Sequence, residues 1–407
     1  MSDTGLSPTT ILRRAPALSL RLHSDNSVEI EAGDARVTCV GPARALAILD
    51  AFSGPTSFSD GLQALERQLQ GAQDWMDVTS TIVDLYRLGI LQDEDHAPAG
   101  PNDAKGFASP PIHVAMLNDR NRTSSFIEAI QEVVREGDVV VDMGTGTGIL
   151  AVAAAQAGAS RVYAIEGTSV SRAAASVFEA NGVSDRVTLV EGWSTQVDLP
   201  ERADVLVSEV IGDDPLSESV LELILDARTR LLKPGARLIP MQLRMYALPV
   251  TVPTGELATR VFTDDNVEKW KSWYGVDLAP LAEVLRKRRL TIHAPPHSAR
   301  DWTAFSDPVL LADVDLGQTN GFQIDATSPA VAKASGAITG VLIYFELELG
   351  PSTRLSTHPV HAPESTHWIA PVWLLADPLE VQAGEHLSLT CTYRVPGKET
   401  GVRIRRG

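Results

Sequence analysis

The run Asp142-Met143-Gly144-Thr145-Gly146-Thr147-Gly148 limits what this chain can fold into more than any other stretch. It follows the apolar segment Asp138–Val141 and leads into Ile149–Ala157, a segment of helical composition. Glycine tolerates left-handed backbone and lets a ligand come close. A strand that turns on glycines straight into a helix therefore reads as the start of a strand–helix–strand unit. Further strands are expected at Arg161–Ile165, Val187–Glu191, Asp204–Ser208 and Arg237–Ile239, with helices at Ser169–Asn181 and Ser217–Leu231. Such alternation builds an α/β, Rossmann-like parallel sheet covered by helices on both faces.

Two acids sharpen the reading. Asp142 precedes the glycines directly, and Glu166 closes the next strand, where a carboxylate accepts both hydroxyls of a ribose. Asp142, Gly144, Gly146, Gly148 and Glu166 are thus candidate cofactor residues, and their spacing suits either NAD or S-adenosylmethionine. No hydride-transfer site accompanies them.

The 407 residues exceed one ordinary domain, and composition divides them. Residues 1–91 hold short alternating strands (Leu18–Leu22, Val28–Ile30, Arg36–Cys39) separated by turns at Ser24–Asn26 and Gly33–Asp34. Helical spacing follows at Ala43–Phe52, Phe58–Leu69 and Trp75–Leu88, with Ser57 and Asp74 as N-caps, and Gly89–Leu91 closes as a strand. The outline resembles a winged helix, and loosely the small domains that hold leader peptides for enzymes maturing ribosomally made peptides. Residues 92–106 form a linker rich in Asp, Ala, Pro and Gly, 107–240 the parallel-sheet domain, and 241–407 an antiparallel β-barrel. The barrel is expected at Met245–Thr251, Ile338–Leu349, Ile369–Leu375 and His386–Tyr393.

Charge and cysteine content exclude several functions. A net charge of −17 disfavours phosphate backbones and anionic lipid, so neither nucleic acid nor membrane is an expected partner, and a cationic substrate is compatible. The last helix of the N-terminal region carries Asp77 and Asp84 against Arg87, the wrong balance for reading DNA. Two distant cysteines make neither a disulfide framework nor a metal site, which fits a reducing cytoplasm. Met1–Pro16 has no signal-peptide layout, and no run of about 18 apolar residues occurs.

The catalytic signal lies outside the glycine loop. Glu209 ends a strand of the parallel sheet, where ligands bind in such sheets, and Glu218 follows nine residues on, on the next helix. Two carboxylates flanking one loop suit a planar cation held through paired N–H···O bonds, as a guanidinium requires.

Here the chain resembles the protein arginine methyltransferases. Their double-glutamate loop matches Ser208–Ser219, and the helix ahead of their cofactor strand matches His113–Thr123. Their Thr-His-Trp loop matches Thr366-His367-Trp368, and their dimerisation arm, at about residues 252–290, is echoed by Trp270–Leu278. The similarity runs from roughly Ile112 to Thr392. It implies a seven-stranded cofactor domain, a barrel with a dimerisation arm, a head-to-tail homodimer, and S-adenosylmethionine as methyl donor. Arg122 with His113 would hold the methionine carboxylate, Glu166 the ribose, and Ser194-Thr195 would stand where a glutamate usually meets the adenine. Met116 would pack beside cofactor and acceptor nitrogen. Glu209 and Glu218 would grip the guanidinium, Asp119 and His367 would carry its proton away, and Trp368 would touch substrate.

The pattern also departs from the family. Val210-Ile211-Gly212-Asp213 replaces the usual Trp-Met-Gly-Tyr, and the tyrosine-rich stretch before His113 is missing. Asp213, with Asp214 beside it, becomes a candidate ligand for the α-ammonium of free L-arginine, whereas the N-terminal region points to a peptide substrate. The alternatives are a methyltransferase for another nucleophile on a ribosomally made peptide, which two glutamates oppose if that nucleophile is a carboxylate, and a non-catalytic peptide-binding scaffold.

Overall fold

The computed structural model describes residues 7–407 except 16–17, 23–26, 33–34, 41, 67–68, 70, 94–106, 108, 287–289, 322 and 395–398. The turns expected at Ser24–Asn26 and Gly33–Asp34, and all of the expected linker beyond Asp93, fall outside the described residues. Two compact units divide the chain, residues 1–110 and 111–407.

In the first unit, Ser19–Leu22, Ser27–Ala32 and Ala35–Val40 pair as an antiparallel meander. Ile11–Arg14 pairs with both Thr56–Ser57 and Leu91–Asp93, a strand too short to show periodicity. Ser57 caps the helix Phe58–Leu65 as expected, its Oγ accepting from the Asp60 amide at 3.1 Å. The third helix begins earlier than expected, at Gly71. Asp74 therefore lies inside its first turn and pairs with Arg44 at 2.7 Å instead of capping. Leu12, Ile48, Phe52, Ile82 and Leu85 fill the core. Gly61 admits the Phe52 ring, since a Cβ there would lie 2.1 Å from its Cζ.

The second unit opens with helices α1 (Pro110–Asn118) and α2 (Arg120–Val133). Strands β1 (Val139–Met143), β2 (Arg161–Glu166), β3 (Val187–Glu191), β4 (Ala203–Ser208) and β5 (Leu232–Ile239) form one sheet in the order β5-β4-β1-β2-β3, parallel throughout. All five residues of β1 are buried, which explains its unbroken apolar run. The order reverses between β1 and β4, so their carboxyl ends flank the crevice where such sheets bind ligands. Among the described residues the sheet has five strands where seven are expected. The next strand, Gln242–Thr251, instead pairs antiparallel with Gly336–Glu348 over nine residues.

The antiparallel half comprises a seven-stranded sheet and a three-stranded one built from Ile324–Val331, His386–Arg394 and Glu399–Arg406. It shares a core with the parallel half, for Phe126, Val140 and Leu206 belong to the same buried cluster as Phe345, Leu347 and Tyr393. The arm region carries helices Thr254–Ala258, Asp264–Tyr274 and Ala279–Arg286. No described helix is long and apolar enough to cross a membrane.

A shared core predicts joint unfolding. Phe126→Ala is expected to cost about 3–5 kcal/mol. In urea denaturation both halves of the unit should then lose structure in a single earlier transition.

Candidate active site

The glycine loop is shaped from below. Gly144 and Thr145 donate their amides to the Ile165 carbonyl at 3.0 and 2.9 Å, tying the end of β1 to β2. Gly148 has φ +84°, and a Cβ on it would meet Phe178 at 2.5 Å, so only glycine fits. Asp142 is 1% exposed and accepts from Thr145 Oγ1 at 2.5 Å. Burial, against which Thr145 works, and the nearby Glu166 push its carboxyl up to about 7. Asp142 thus buttresses the loop from beneath. Glu166, at the end of β2, accepts from Gly146 N and Thr168 N, both at 2.8 Å, and each carboxylate oxygen keeps a further lone pair. Ser194 and Thr195 lie in the turn after β3, and the Ser194 carbonyl accepts from Arg230 at 2.6 Å.

Helices α1 and α2 meet at Asp119. Its carboxylate caps α2 through the Arg122 amide at 3.0 Å. His113 is buried against the loop, 3.5 Å from where a Cβ on Gly146 would stand. Arg122 points between the glycine loop and the acidic loop. It forms an ion pair with Glu209, donates to the Met116 carbonyl at 3.4 Å, lies 3.8 Å from the Met116 sulfur, and sits 5.9 Å above the Trp368 ring. The expected carboxylate-binding cation is therefore joined to one of the expected substrate-binding acids.

The double-glutamate loop folds back on itself. Glu218 lies in a turn ahead of the helix Val220–Arg230, not on the helix as expected, because Ser219 at φ 64° interrupts the helical backbone. Ser219 alone among the described non-glycine residues has positive φ, and such strain concentrates at functional sites. A Cβ on Gly212 would lie 2.9 Å from Glu218 Oε1, so glycine lets the loop close over the carboxylate. Burial first, then the charges of Glu209 and Asp213, raise Glu218 to about 7.

Three successive residues of the antiparallel half meet the site, His367 at the cap of α2 and Trp368 and Ile369 at this loop. His367 places its amide and Nδ1 each 3.1 Å from Asp119 Oδ2. Burial works against ionised Asp119, yet the His367 and Arg122 hydrogen bonds outweigh it and keep the carboxyl below its usual value. Trp368, only 3% exposed, donates its indole N–H to the Ile211 carbonyl at 2.8 Å and props the loop from behind. The Ile369 amide donates to Asp213 at 2.8 Å. Asp213 is raised by burial despite that bond. No metal-holding cluster of His, Cys, Asp or Glu occurs among the described residues.

Two family models match adjoining segments. One, described as ribosomal protein L11 methyltransferase (PrmA), matches residues 119–243. The other, the arginine methyltransferase oligomerization subdomain, matches residues 256–400. A zebrafish (Danio rerio) protein arginine N-methyltransferase 6 is 30% identical over 290 residues, 68% of this chain and 79% of the relative. The chain belongs to the protein arginine N-methyltransferase family. A probable protein arginine N-methyltransferase 6 of Arabidopsis thaliana is 37% identical over 183 residues, 44% of this chain and 40% of that relative. The Trypanosoma brucei PRMT1 enzyme–prozyme heterotetrameric complex with AdoHcy superposes with TM-score 0.64 at 25% identity, covering 74% of this chain and 94% of that one. This arginine methyltransferase is accordingly an enzyme that uses S-adenosylmethionine.

Its own residues fit that cofactor. Arg122 Nε, Ser208 Oγ and Thr168 Oγ1 are buried polar atoms with no partner among the described residues, and they lie at the ends of α2, β4 and β2 around the glycine loop. Buried donors left unsatisfied are rare and mark places where a polar ligand belongs. Thr145, Phe178 and Ser219 shape the site without having been singled out in the sequence. Their roles are backbone and packing roles that no residue-type pattern reports.

The raised Glu218 has a pH signature. Its carboxyl ionises near 4.5 ordinarily and near 7 in the folded protein, so between these values the folded state keeps a proton that the unfolded chain loses. Stability therefore falls as pH rises through that window. Glu218→Gln is expected to raise the melting temperature at about pH 8 and leave it unchanged at about pH 4, where both states are protonated.

Proposed function

We propose that this enzyme methylates arginine guanidinium groups in a peptide or protein, with Glu209 and Glu218 as the two-sided grip on the guanidinium. The observation that carries the reading is the folding of both carboxylates into one loop at the sheet's switch point, closed over Gly212 and held by the Thr-His-Trp segment. The names of the relatives support a protein substrate.

When bound, S-adenosylmethionine supplies an electrophilic methyl on a sulfonium. Arg122 and His113 orient its methionine end, Glu166 its ribose, and the turn at Ser194-Thr195 borders the adenine. Met116 lines the narrow space beside the acceptor nitrogen. Glu209 and Glu218 fix the guanidinium plane so that one nitrogen presents its lone pair along the line of attack, and positioning of this kind supplies much of the rate enhancement. The acceptor nitrogen must shed a proton. Asp119 engages His367 Nδ1, which leaves Nε2 as the proton-accepting nitrogen.

A second reading, free L-arginine as substrate, is favoured by one observation. Asp213, fixed by Ile369 N–H, adds a half-buried carboxylate beside the grip that suits an α-ammonium. The N-terminal unit serves peptide recruitment under the first reading. A homodimer is also proposed, since the arm exposes Trp273 and Tyr274 by 57% and 65% within the segment matching the oligomerization subdomain. The composition suits a cytosolic enzyme.

Mass spectrometry after incubation with labelled S-adenosylmethionine, arginine-containing peptides and free L-arginine tests the substrate. Peptide methylation is expected, with Glu209→Gln and Glu218→Gln each lowering kcat/KM at least about a hundredfold, roughly 2.7 kcal/mol. Transfer to free arginine alone, lost in Asp213→Asn, would replace the peptide reading with the second one. Light scattering on the intact chain is expected to give twice the monomer mass; Trp273→Asp is expected to give monomers.

A further inference from the structure

Trp193 lies outside every role assigned above. It follows β3 and is 55% exposed, although an indole in water forfeits a large apolar burial. Its position is nevertheless closely defined. A Cβ on Gly167 would lie 2.9 Å from Trp193 Cδ2, 2.9 Å from Cε3 and 3.2 Å from Cε2. These are three contiguous atoms, Cδ2 with its two neighbours, and include both ring-fusion carbons, so Gly167 approaches the face of the indole, not its edge. One face rests on glycine and the other is left open.

The turn carrying Trp193 is rigid. Gly192 donates to the Glu166 carbonyl at 2.9 Å, tying the end of β3 to the end of β2. Gly192 has φ +137°, and a Cβ there would meet Val197 at 2.8 Å. Gln196 N and Val197 N close on the Trp193 carbonyl at 2.8 and 3.2 Å, while Arg230 clamps the carbonyls of Ser194 and Val197 at 2.6 and 2.8 Å. A backbone held this firmly offers its side chain from a fixed point, so less freedom remains to be lost when a ligand packs on it.

Gly167 is the residue next to Glu166. A nucleoside whose ribose is held by Glu166 extends its base toward the turn after β3, which the Gly192–Glu166 bond ties to the end of β2. We infer that Trp193 is a cofactor-binding residue whose open indole face stacks on the adenine of S-adenosylmethionine, with Gly167 kept small so that the ring can lie flat. The inference rests on the reading of Glu166 as the ribose ligand. Stacking of a base on an aromatic ring tolerates any purine and needs no hydrogen bond. It compensates for the Ser194-Thr195-Gln196 sequence, which lacks a carboxylate for the adenine amino group.

Isothermal titration of the full-length protein with S-adenosylhomocysteine and with 5′-methylthioadenosine tests this. Trp193→Ala is expected to weaken both ligands about tenfold, because both carry the adenine, and Trp193→Phe is expected to restore binding to within about threefold. Glu166→Gln is the control for the site. If Glu166→Gln weakens binding while Trp193→Ala stays within about twofold of the wild type, Trp193 is surface packing on Gly167 and the inference fails alone. Equal losses in Trp193→Ala and Trp193→Phe would also overturn it, since a generic aromatic face would not be what matters. If neither Glu166→Gln nor Trp193→Ala changes affinity, the ribose assignment and the inference fall together.

Discussion

Residues His367, Trp368 and Ile369 each reach across to the parallel-sheet half, His367 meeting Asp119 through both its amide and its ring, Trp368 the Ile211 carbonyl and Ile369 the Asp213 carboxylate. The acidic loop has no regular structure of its own between β4 and the helix at Val220. Its carboxylates keep a defined spacing only because Trp368 holds its backbone and Asp213 is pinned at the other side. The His367–Asp119 bond adds a charge-assisted contact of about 1.5–3 kcal/mol. The same Asp119 caps α2, so the helix that aims Arg122 and the segment that braces the acidic loop share one carboxylate. A continuous apolar core beneath both halves makes that bracing stiff.

The electrostatics follow from this enclosure. Asp142, Glu166, Glu209, Asp213 and Glu218 crowd around a small volume in which Arg122 is the cation joined to Glu209. Removing carboxylates from water favours their neutral forms, and neighbouring negative charge adds to the effect. That is why Asp142 and Glu218 titrate near 7. Asp119 escapes, because three hydrogen bonds reward its ionised form. A site with surplus negative charge attracts a cation, and the sulfonium of S-adenosylmethionine is one. Asp142 has a different part, since it lies under the loop and works through Thr145.

Much of the framework was legible in the sequence. Apolar runs of the right length located β1 to β4 to within two residues, and the glycine loop announced the turn between β1 and its helix. Strand and helix periodicity report which face of a segment is buried, and burial is a local consequence of side-chain type. Motif resemblance brought Asp119 and His367 together although 248 residues separate them, a pairing no local pattern contains. The N-cap at Ser57 was read correctly because its partner is three residues away, whereas Asp74 was misread because the helix continued toward its N-terminus into residues with no apolar signal.

By itself, then, the sequence determined the class of fold, the cofactor loop and the identities of the acids, because glycine, spacing and polarity act over a few residues. The tertiary structure decided how those groups are used. It placed Asp142 beneath the loop, buried Trp368 behind the double-glutamate turn, moved Glu218 off the helix through the strained Ser219, and joined Arg122 to Glu209. Each of these depends on which surfaces meet when the parallel and antiparallel halves close on a common core. Packing between distant segments is fixed by shape and burial across the whole unit, and no short stretch of residues carries that information.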